Sequence, residues 1–258
     1  MKPLFDEKIN KSLKKYQPIE VILRQNCDKC GHQYDLYKFE NGYEYKDGCE
    51  CEIQRLAYEE YKRNKQKKLD YIFNQSNVNP SLRDATVNNY KPQNEKQVHA
   101  KQTAIEYVQG FSTKEPKSLI LQGSYGTGKS HLAYAIAKAV KAKGHTVAFM
   151  HIPMLMDRIK ATYNKNAVET TDELVKLLSE IDLLVLDDSG CKKTQNTLIN
   201  KLFSIVDNRV GKNNIFTTNF SDKELNQNMN WQRINSRMKK RARKVRVIGD
   251  DFRERDAW

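Results

Sequence analysis

The chain has 258 residues, of which 38% are hydrophobic and 30% are charged, and its net charge is +13. This length suits one ordinary domain and a small second one. No apolar run approaches the roughly 18 residues of a membrane span, and the N-terminus lacks the apolar core of a signal peptide. We therefore expect a cytoplasmic α/β protein with no membrane partner and with reduced cysteines.

Four of the five cysteines lie close together near the N-terminus, after a weakly periodic helix predicted over residues 1–25. Cys27 and Cys30 form a C-x-x-C pair, and Cys49 and Cys51 form a C-x-C pair after 18 further residues. Aromatic residues flank an Asn-Gly hairpin turn between the pairs. Two close pairs joined by a hairpin can supply four thiolates to a tetrahedral Zn²⁺.

Such a zinc site would be structural, because four protein ligands leave no open position for a substrate. The second pair is closer than the common C-x-x-C form, and His32 is an alternative ligand. Free thiols or a disulfide are the other interpretations of these cysteines.

A polar stretch with two prolines, residues 74–94, predicts the boundary between two domains. It follows a charged helix predicted at 52–73. We assign residues 1–75 to a zinc-binding domain with its connecting helix, and residues 76–258 to a larger α/β domain.

The larger domain alternates apolar strands with helices, which predicts a five-stranded parallel sheet covered on both faces. Strands are predicted at 118–122, 146–151, 181–187, 214–218 and 244–248. Helices are predicted at 95–111, 129–143, 153–164, 171–179 and 195–209.

The strongest motif is the P-loop GSYGTGKS, which lies between a predicted strand and a predicted helix. Its glycines let backbone N–H groups curl around a polyphosphate at the start of the helix. Lys129 would reach the β- and γ-phosphates of ATP, and Ser130 would hold Mg²⁺. The expected nucleotide-binding residues are Gly123, Ser124, Tyr125, Gly126, Thr127, Gly128, Lys129, Ser130 and His131.

A second motif, IDLLVLDDSG, is an apolar strand that ends in two acids, as in a Walker B element. Asp187 would hold Mg²⁺ beside Ser130, and Asp188 would polarise the attacking water. Asn219 ends the next apolar strand, IFTTNF, and could bond the γ-phosphate or this water. The catalytic set predicted from these motifs is Lys129, Asp188 and Asn219.

Residues 231–246 carry eight basic side chains and no acidic one, whereas residues 1–90 are nearly balanced, with 16 basic and 14 acidic residues. The excess charge therefore lies late in the chain and favours a polyanionic partner over an ordinary solvated helix face.

Together these motifs resemble the AAA+ family, and within it the bacterial replicative-helicase loaders of the DnaC/DnaI type, related to IstB transposition ATPases and the DnaA initiator. The matching stretches are GSYGTGKSHLAYAIA, LLVLDD, FTTNF, RINSRMKKR and the lead-in PSLRDATVNNYKP. The resemblance implies an AAA+ core without a C-terminal lid domain, joined to a zinc-bearing N-terminal domain as in DnaI.

The resemblance also implies residue roles. Asn219 would be the sensor, and Arg237, with Arg233 second, would be an arginine finger that reaches a neighbouring subunit's γ-phosphate. Contact with a DNA backbone is the alternative for both arginines. The segment 151–166, with Arg158, Lys160, Tyr163 and Lys165, would contact single-stranded DNA or form ordinary surface.

The function implied is ATP-dependent loading of the hexameric replicative helicase onto single-stranded DNA. ATP, Mg²⁺ and Zn²⁺ are the expected cofactors; the helicase, single-stranded DNA, further copies of the chain and a replication initiator are the expected partners. The alternatives are an IstB-type transposition ATPase and a nucleotide-gated adaptor with little ATP turnover. The second arises because loaders often carry Glu where this chain has Asp188.

Overall fold

The structure, a computed structural model, describes residues 17–75, 80–164, 166–167, 169–189 and 196–254. The chain divides between Asn64 and Lys65 into two compact units. None of the described helices combines the length and apolar character that a membrane span requires.

The first unit contains a three-stranded antiparallel sheet in the order β1-β2-β3. Its strands are β1 (Glu20–Asn26), β2 (Gln33–Lys38) and β3 (Glu44–Asp47), and helix α1 (Cys51–Gln75) follows. The hairpin expected at Asn41-Gly42 is confirmed, because Gly42 turns the chain between β2 and β3 with φ 76°.

The helix expected over residues 1–25 is wrong at its C-terminal end. Val21 and Ile22 belong to β1 and pair with β2, because β-branched side chains favour a strand that has a partner. Residues 1–16 lie outside the described chain.

The second unit is built on a five-stranded sheet in the order β5-β6-β7-β4-β8, and every strand pair is parallel. This confirms the predicted parallel sheet. Its strands are β4 (Ser118–Gln122), β5 (Val147–His151), β6 (Leu183–Asp187), β7 (Asn213–Thr218) and β8 (Ala242–Arg246). The helices after α1 are α2 (Glu95–Gln109), α3 (Lys129–Ala142), α4 (Ile152–Ala161), α5 (Thr171–Glu180), α6 (Asn196–Asp207), α7 (Asp222–Leu225) and α8 (Met229–Lys239).

The core forms two apolar layers, one on each face of this sheet. Strand β6 shows the reason: Leu183 and Val185 enter one layer, whereas Leu184 and Leu186 enter the other. Successive strand side chains point to opposite faces, so a continuous apolar run is buried on both sides. Helices α2 and α3 cover one face, and α4, α5, α6 and α8 cover the other.

The basic region 231–246 is divided between two elements. Its first part forms α8, where no helix was predicted, and its last part forms β8, two residues earlier than expected. Trp231, Ile234 and Met238 recur at helical spacing and are buried in the core, so tertiary packing stabilises a helix whose other face is strongly charged.

Candidate functional site

The P-loop lies between β4 and α3, and Lys129 is the first helical residue. Gly126 and Gly128 adopt left-handed backbone conformations, with φ 66° and 84°. Gly128 also has no space for a side chain, because a Cβ there would lie 2.5 Å from the ring of Tyr90. The Tyr90 hydroxyl donates a hydrogen bond to the carbonyl of Thr127 at 2.9 Å. The sequence analysis did not identify Tyr90, which packs against the loop at Gly128.

Lys129 is buried and donates a hydrogen bond to the carbonyl of Ser124, within its own loop. Burial lowers the pKa of Lys129 to about 8, although the charges of Asp187 and Asp188 oppose this effect. An incoming polyphosphate would favour the charged ammonium, since a nearby anion stabilises it.

Ser130, Asp187 and Thr217 form one hydrogen-bonded group. The Ser130 hydroxyl donates to Asp187 Oδ1 at 2.7 Å, and the Thr217 hydroxyl donates to the same oxygen at 2.6 Å. The Asp188 N–H donates to the Thr217 hydroxyl at 2.9 Å. Thr217 therefore connects both acids. Sequence reasoning missed it, although it lies in the quoted strand IFTTNF.

Asp188 lies where the chain leaves β6 and has a left-handed φ of 58°. Its Oδ1 accepts a hydrogen bond from the Asn219 amide at 3.2 Å, and its Oδ2 lies 3.6 Å from His151 Nε2. The nearby Asp188 carboxylate raises the pKa of His151, and the same interaction lowers the pKa of Asp188. His151 ends β5, where its Cα pairs with Asp187, and no sequence motif indicated it.

The parallel sheet explains why these residues meet. Strands β4, β5, β6 and β7 all end at one edge, so the P-loop, His151, the two acids and Asn219 follow neighbouring strand ends. Ligands of open parallel sheets bind at this edge. A cavity of about 690 Å³ lies there. Its walls include Tyr125, Gly126, Thr127, Gly128, Lys129, Ser130, His131, Asp187, Asp188 and Asn219.

Three of the predicted nucleotide-binding residues lie against other segments of the chain. His131 Nε2 lies 3.0 Å from the Thr86 carbonyl and 2.9 Å from Asn89 Oδ1. The Ser124 hydroxyl donates to the carbonyl of Gly249 at 3.3 Å. Gly123 is closed in by the chain after β8, because a Cβ there would lie 1.8 Å from the carbonyl oxygen of Val247.

The structure does not bring the two candidate finger arginines to this cavity. Arg237 pairs with Asp207, and the Arg233 guanidinium lies 4.1 Å from the ring centre of Phe203. Both arginines are on α8 and contact α6, and the described cavity walls contain neither of them. In the single chain both arginines therefore contact α6 rather than the cavity.

The segment 151–166 forms mainly α4 and its end. Arg158 is half-buried in a pair with Glu169, and Lys160 pairs with Asp157 at 3.3 Å. Tyr163 is exposed, whereas Lys165 lies outside the described residues. The charges suggested for DNA contact are thus partly neutralised by acids of the chain itself.

The four N-terminal cysteines meet in the first unit, where the β1–β2 turn carries one pair and the β3–α1 junction carries the other. Their Sγ atoms all lie within 4.8 Å of one another. The Sγ atoms of Cys30 and Cys49 are 3.7 Å apart, close to the edge of about 3.8 Å expected for a tetrahedron with Zn–S bonds of about 2.3 Å. Backbone hydrogen bonds from Cys30 and Lys29 lower the pKa of the Cys27 thiol to about 6.

This geometry fits a metal better than the alternatives. The four cysteines are free of disulfides, and the described group that could hold a metal contains them without His32. Hydrogen bonds with Cys30 and Cys49 raise the pKa of the Cys51 thiol to about 12, so zinc binding at the cluster would release protons from the thiols. The cluster is therefore compatible with structural zinc.

Comparisons with known proteins agree with this architecture. The family described as IstB-like ATP binding protein matches residues 39–257. The replicative helicase loader DnaC of Escherichia coli K12 is 33% identical over 149 residues, which are 57% of this chain and 59% of that protein. The alignment thus spans less than two thirds of the relative.

Two solved structures are similar in fold. A crystal structure of the DnaC helicase loader has a TM-score of 0.58 and 26% identity, over 65% of this chain and 99% of that one. A crystal structure of DnaI has a TM-score of 0.56 and 22% identity, over 68% and 94% of the two chains. The second unit therefore has the AAA+ fold of DnaC that its motifs predicted.

Proposed function

Because this chain belongs to the family of IstB-like ATP-binding proteins, we propose that it is an ATP-dependent loader of the hexameric replicative helicase onto single-stranded DNA. The observation that carries this proposal is the 33% identity to a protein named as a replicative helicase loader. The expected location is the cytoplasm, where the chromosome is replicated.

The chemistry proposed for the cavity is ATP binding and hydrolysis. Backbone N–H groups of the P-loop and the start of α3 would bind the phosphates, with Lys129 at the β- and γ-phosphates. The Ser130 hydroxyl and the Asp187 carboxylate, 2.7 Å apart, are hard oxygen ligands that suit Mg²⁺. Bound Mg²⁺ would neutralise phosphate charge.

Asp188 is the group proposed to orient the attacking water. Asn219 and His151 contact its two carboxylate oxygens from the strands on either side of β6. These contacts orient the carboxylate, although the Asp188 side chain is short. Asn219 would add a hydrogen bond to the γ-phosphate or to the water. In phosphoryl transfer this kind of positioning supplies most of the acceleration.

Assembly is proposed to complete the site. Arg237, with Arg233 second, would approach the γ-phosphate bound to a neighbouring copy of the chain. Arg237 pairs with Asp207 in the single chain, so this role requires that pair to open or to turn outward. An exposed ion pair contributes about 0–1 kcal/mol, and its opening is therefore a small barrier to assembly.

Single-stranded DNA is proposed to bind the second unit, because that unit carries the positive charge. Residues 1–64 hold 12 basic and 12 acidic side chains, so the whole excess of +13 lies in residues 65–258. Within the described chain no acidic side chain pairs with Lys240, Arg241 or Arg246. These three are the best candidates in the basic region for phosphate contacts.

The N-terminal domain, residues 1–75 in our assignment, holds 15 basic and 13 acidic side chains. We propose that it binds the helicase and that Zn²⁺ stabilises its short sheet. The test uses the full chain and the replicative helicase of the same host. Helicase binding is measured with and without a zinc chelator, and helicase transfer to single-stranded DNA is measured with and without ATP. The proposal predicts that chelation removes binding and that transfer requires ATP.

An accessory ATPase for transposition is the second candidate, because the matching family is described by its IstB member. A pull-down with the full chain separates the two candidates: capture of a transposase without the helicase would favour the IstB-type function. Comparing ATP turnover of the wild type and Asp188→Ala, with helicase and DNA present, separates an ATPase from an adaptor with little turnover. A replication initiator is a further partner to include in the pull-down.

A further inference from the structure

Two arginines of α8 face two side chains of α6 that have the same spacing. Arg233 and Arg237 are four residues apart on α8, and Phe203 and Asp207 are four residues apart on α6. Residues at this spacing lie on one face of a helix. The Arg237 Nε–H donates to Asp207 Oδ1, and the guanidinium carbons of Arg233 and Arg237 lie 4.1 and 5.7 Å from the centre of the Phe203 ring. One face of α6 therefore holds both arginines.

Buried side chains fix the two helices beside each other. Leu202, Ile205 and Val206 of α6 belong to the same apolar layer as Ile234 and Met238 of α8, and all five are buried. The arginine contacts lie next to this packed layer. A functional side chain is held most precisely when rigid elements support it, so α6 is suited to set the direction of an α8 arginine.

The position of Asp207 is unfavourable for the helix that carries it. Asp207 is the last residue of α6, and the last turn of this helix has no basic residue. The C-terminus of a helix has a partial negative charge, which repels a carboxylate. The guanidinium of Arg237 offsets this repulsion. A residue that breaks a local rule in this way is expected where it serves a function.

The contact with Asp207 leaves the outer end of Arg237 available. Nε makes the hydrogen bond to the carboxylate, whereas the terminal nitrogens carry the paired donors that match phosphate oxygens. The Arg237 side chain is 42% exposed, so it can turn outward with the Nε bond intact. Arg233 instead lies closely over the Phe203 ring. The geometry therefore favours Arg237 over Arg233 as the residue that reaches a neighbouring copy.

We propose that Asp207 is a positioning residue for ATP hydrolysis. It anchors Arg237 at Nε against the Phe203 ring, and the terminal nitrogens then meet the γ-phosphate bound to a neighbouring copy of the chain. This inference rests on the proposed finger role of Arg237. An error of about 1 Å in the placement of a catalytic group can cost about 100-fold in rate, so an anchored guanidinium is more effective than a free one.

The first test is steady-state ATP turnover of the full chain with helicase and single-stranded DNA, comparing the wild type with Asp207→Ala, Asp207→Asn and Glu106→Ala. Glu106 pairs with Arg243 at 2.9 Å, and its side chain is 47% exposed against 44% for Asp207, so its variant controls for the loss of an exposed ion pair. Asp207→Ala is expected to lower kcat about tenfold and to keep KM for ATP within about twofold, because the chain's own cavity is unchanged. Asp207→Asn keeps an oxygen acceptor for Nε and should retain most of the turnover. Glu106→Ala should match the wild type.

The second test asks whether Asp207 acts on a neighbouring copy. Asp188→Ala lacks the proposed water-orienting carboxylate but retains Asp207 and Arg237. In an equal mixture with Asp207→Ala, about half of the Asp207→Ala copies receive an intact arginine from a neighbour, so turnover per Asp207→Ala copy should rise about fivefold. The melting temperature of Asp207→Ala should match that of Glu106→Ala, since each variant loses one exposed ion pair.

The outcomes separate this inference from the function on which it rests. If the wild type does not hydrolyse ATP, or if Arg237→Ala turns over ATP as the wild type does, the finger role fails and the inference fails with it. If Arg237→Ala loses turnover while Asp207→Ala keeps or exceeds the wild-type rate, the inference alone is overturned. It is also overturned if Asp207→Ala loses turnover that the mixture does not restore, because Asp207 would then act within its own chain.

Discussion

Replacing Thr217 by valine tests the hydrogen-bonded group at the ends of β6 and β7. Valine keeps the branched shape of this buried side chain but removes the hydroxyl. That hydroxyl donates to Asp187 Oδ1 at 2.6 Å and accepts the Asp188 N–H at 2.9 Å. The substitution therefore affects both acids without removing either of them.

The magnitude follows from these two bonds. A hydrogen bond to a charged group contributes about 1.5–3 kcal/mol, and a buried N–H left without a partner costs about 1–3 kcal/mol. Burial of the added methyl group offsets about 0.8 kcal/mol. Together these values give an expected fall in the free energy of unfolding of about 2–5 kcal/mol. If the transition state loses the stabilisation of one to two such hydrogen bonds, ATP turnover falls about 10- to 100-fold.

The assays are urea denaturation and steady-state phosphate release with helicase and single-stranded DNA present. Thr217→Ser is the matched control, because it keeps the hydroxyl and loses only the methyl group. We expect its turnover to stay within about threefold of the wild type, since the two hydrogen bonds remain. Equal turnover in the valine and serine variants would refute the reasoning, because the hydroxyl would then position neither acid.

Three further predictions concern pH, a buried cation and zinc. The raised pKa of His151 means that its pairing with Asp188 stabilises the fold below about pH 6.5 and is lost as the pH rises through that raised value. Denaturation should therefore show a larger loss for His151→Gln at about pH 5.5 than at about pH 8.5, and equal losses would contradict the pairing. Arg209 is fully buried and donates hydrogen bonds to Asn214 and to backbone carbonyls that include that of Ile181. Arg209→Met should therefore lower the free energy of unfolding, measured in urea, by about 3–5 kcal/mol. A loss below about 1 kcal/mol would contradict this. Native mass spectrometry should find about one zinc per chain, with the zinc lost in Cys30→Ser and retained in the control Cys191→Ser; retention in both would rule out the cluster as the site.

The two nucleotide motifs could be predicted from the sequence because their information is local. A P-loop is a strand, a short glycine turn and a helix in sequence, so residues 123–130 specify their own conformation before any distant contact forms. The apolar run before Asp187 and Asp188 likewise identifies a buried strand with acids at its end. The cysteine pairs and the Asn-Gly turn belong to this class as well, since their spacing restricts how they can meet.

Strand order and side-chain partners could not be predicted, because they depend on which strands pair. Thr217 reaches Asp187 only because β7 lies beside β6, and His151 reaches Asp188 only because β5 lies on the other side. These residues are 30 or more positions apart, and no periodic pattern in one segment reports on the other. The same holds for Tyr90 beneath Gly128 and for Asp207 beside Arg237.

The sequence by itself determined the parallel sheet, the P-loop, the two acids at a strand end and a four-cysteine cluster, because each is encoded within a short segment. Only the tertiary structure decided what surrounds them. It placed residues 249–253 over the P-loop and turned Arg237 toward its own chain. The physical reason is that packing and ion pairing join segments distant in sequence, and their geometry is fixed only when the sheet has brought those segments together.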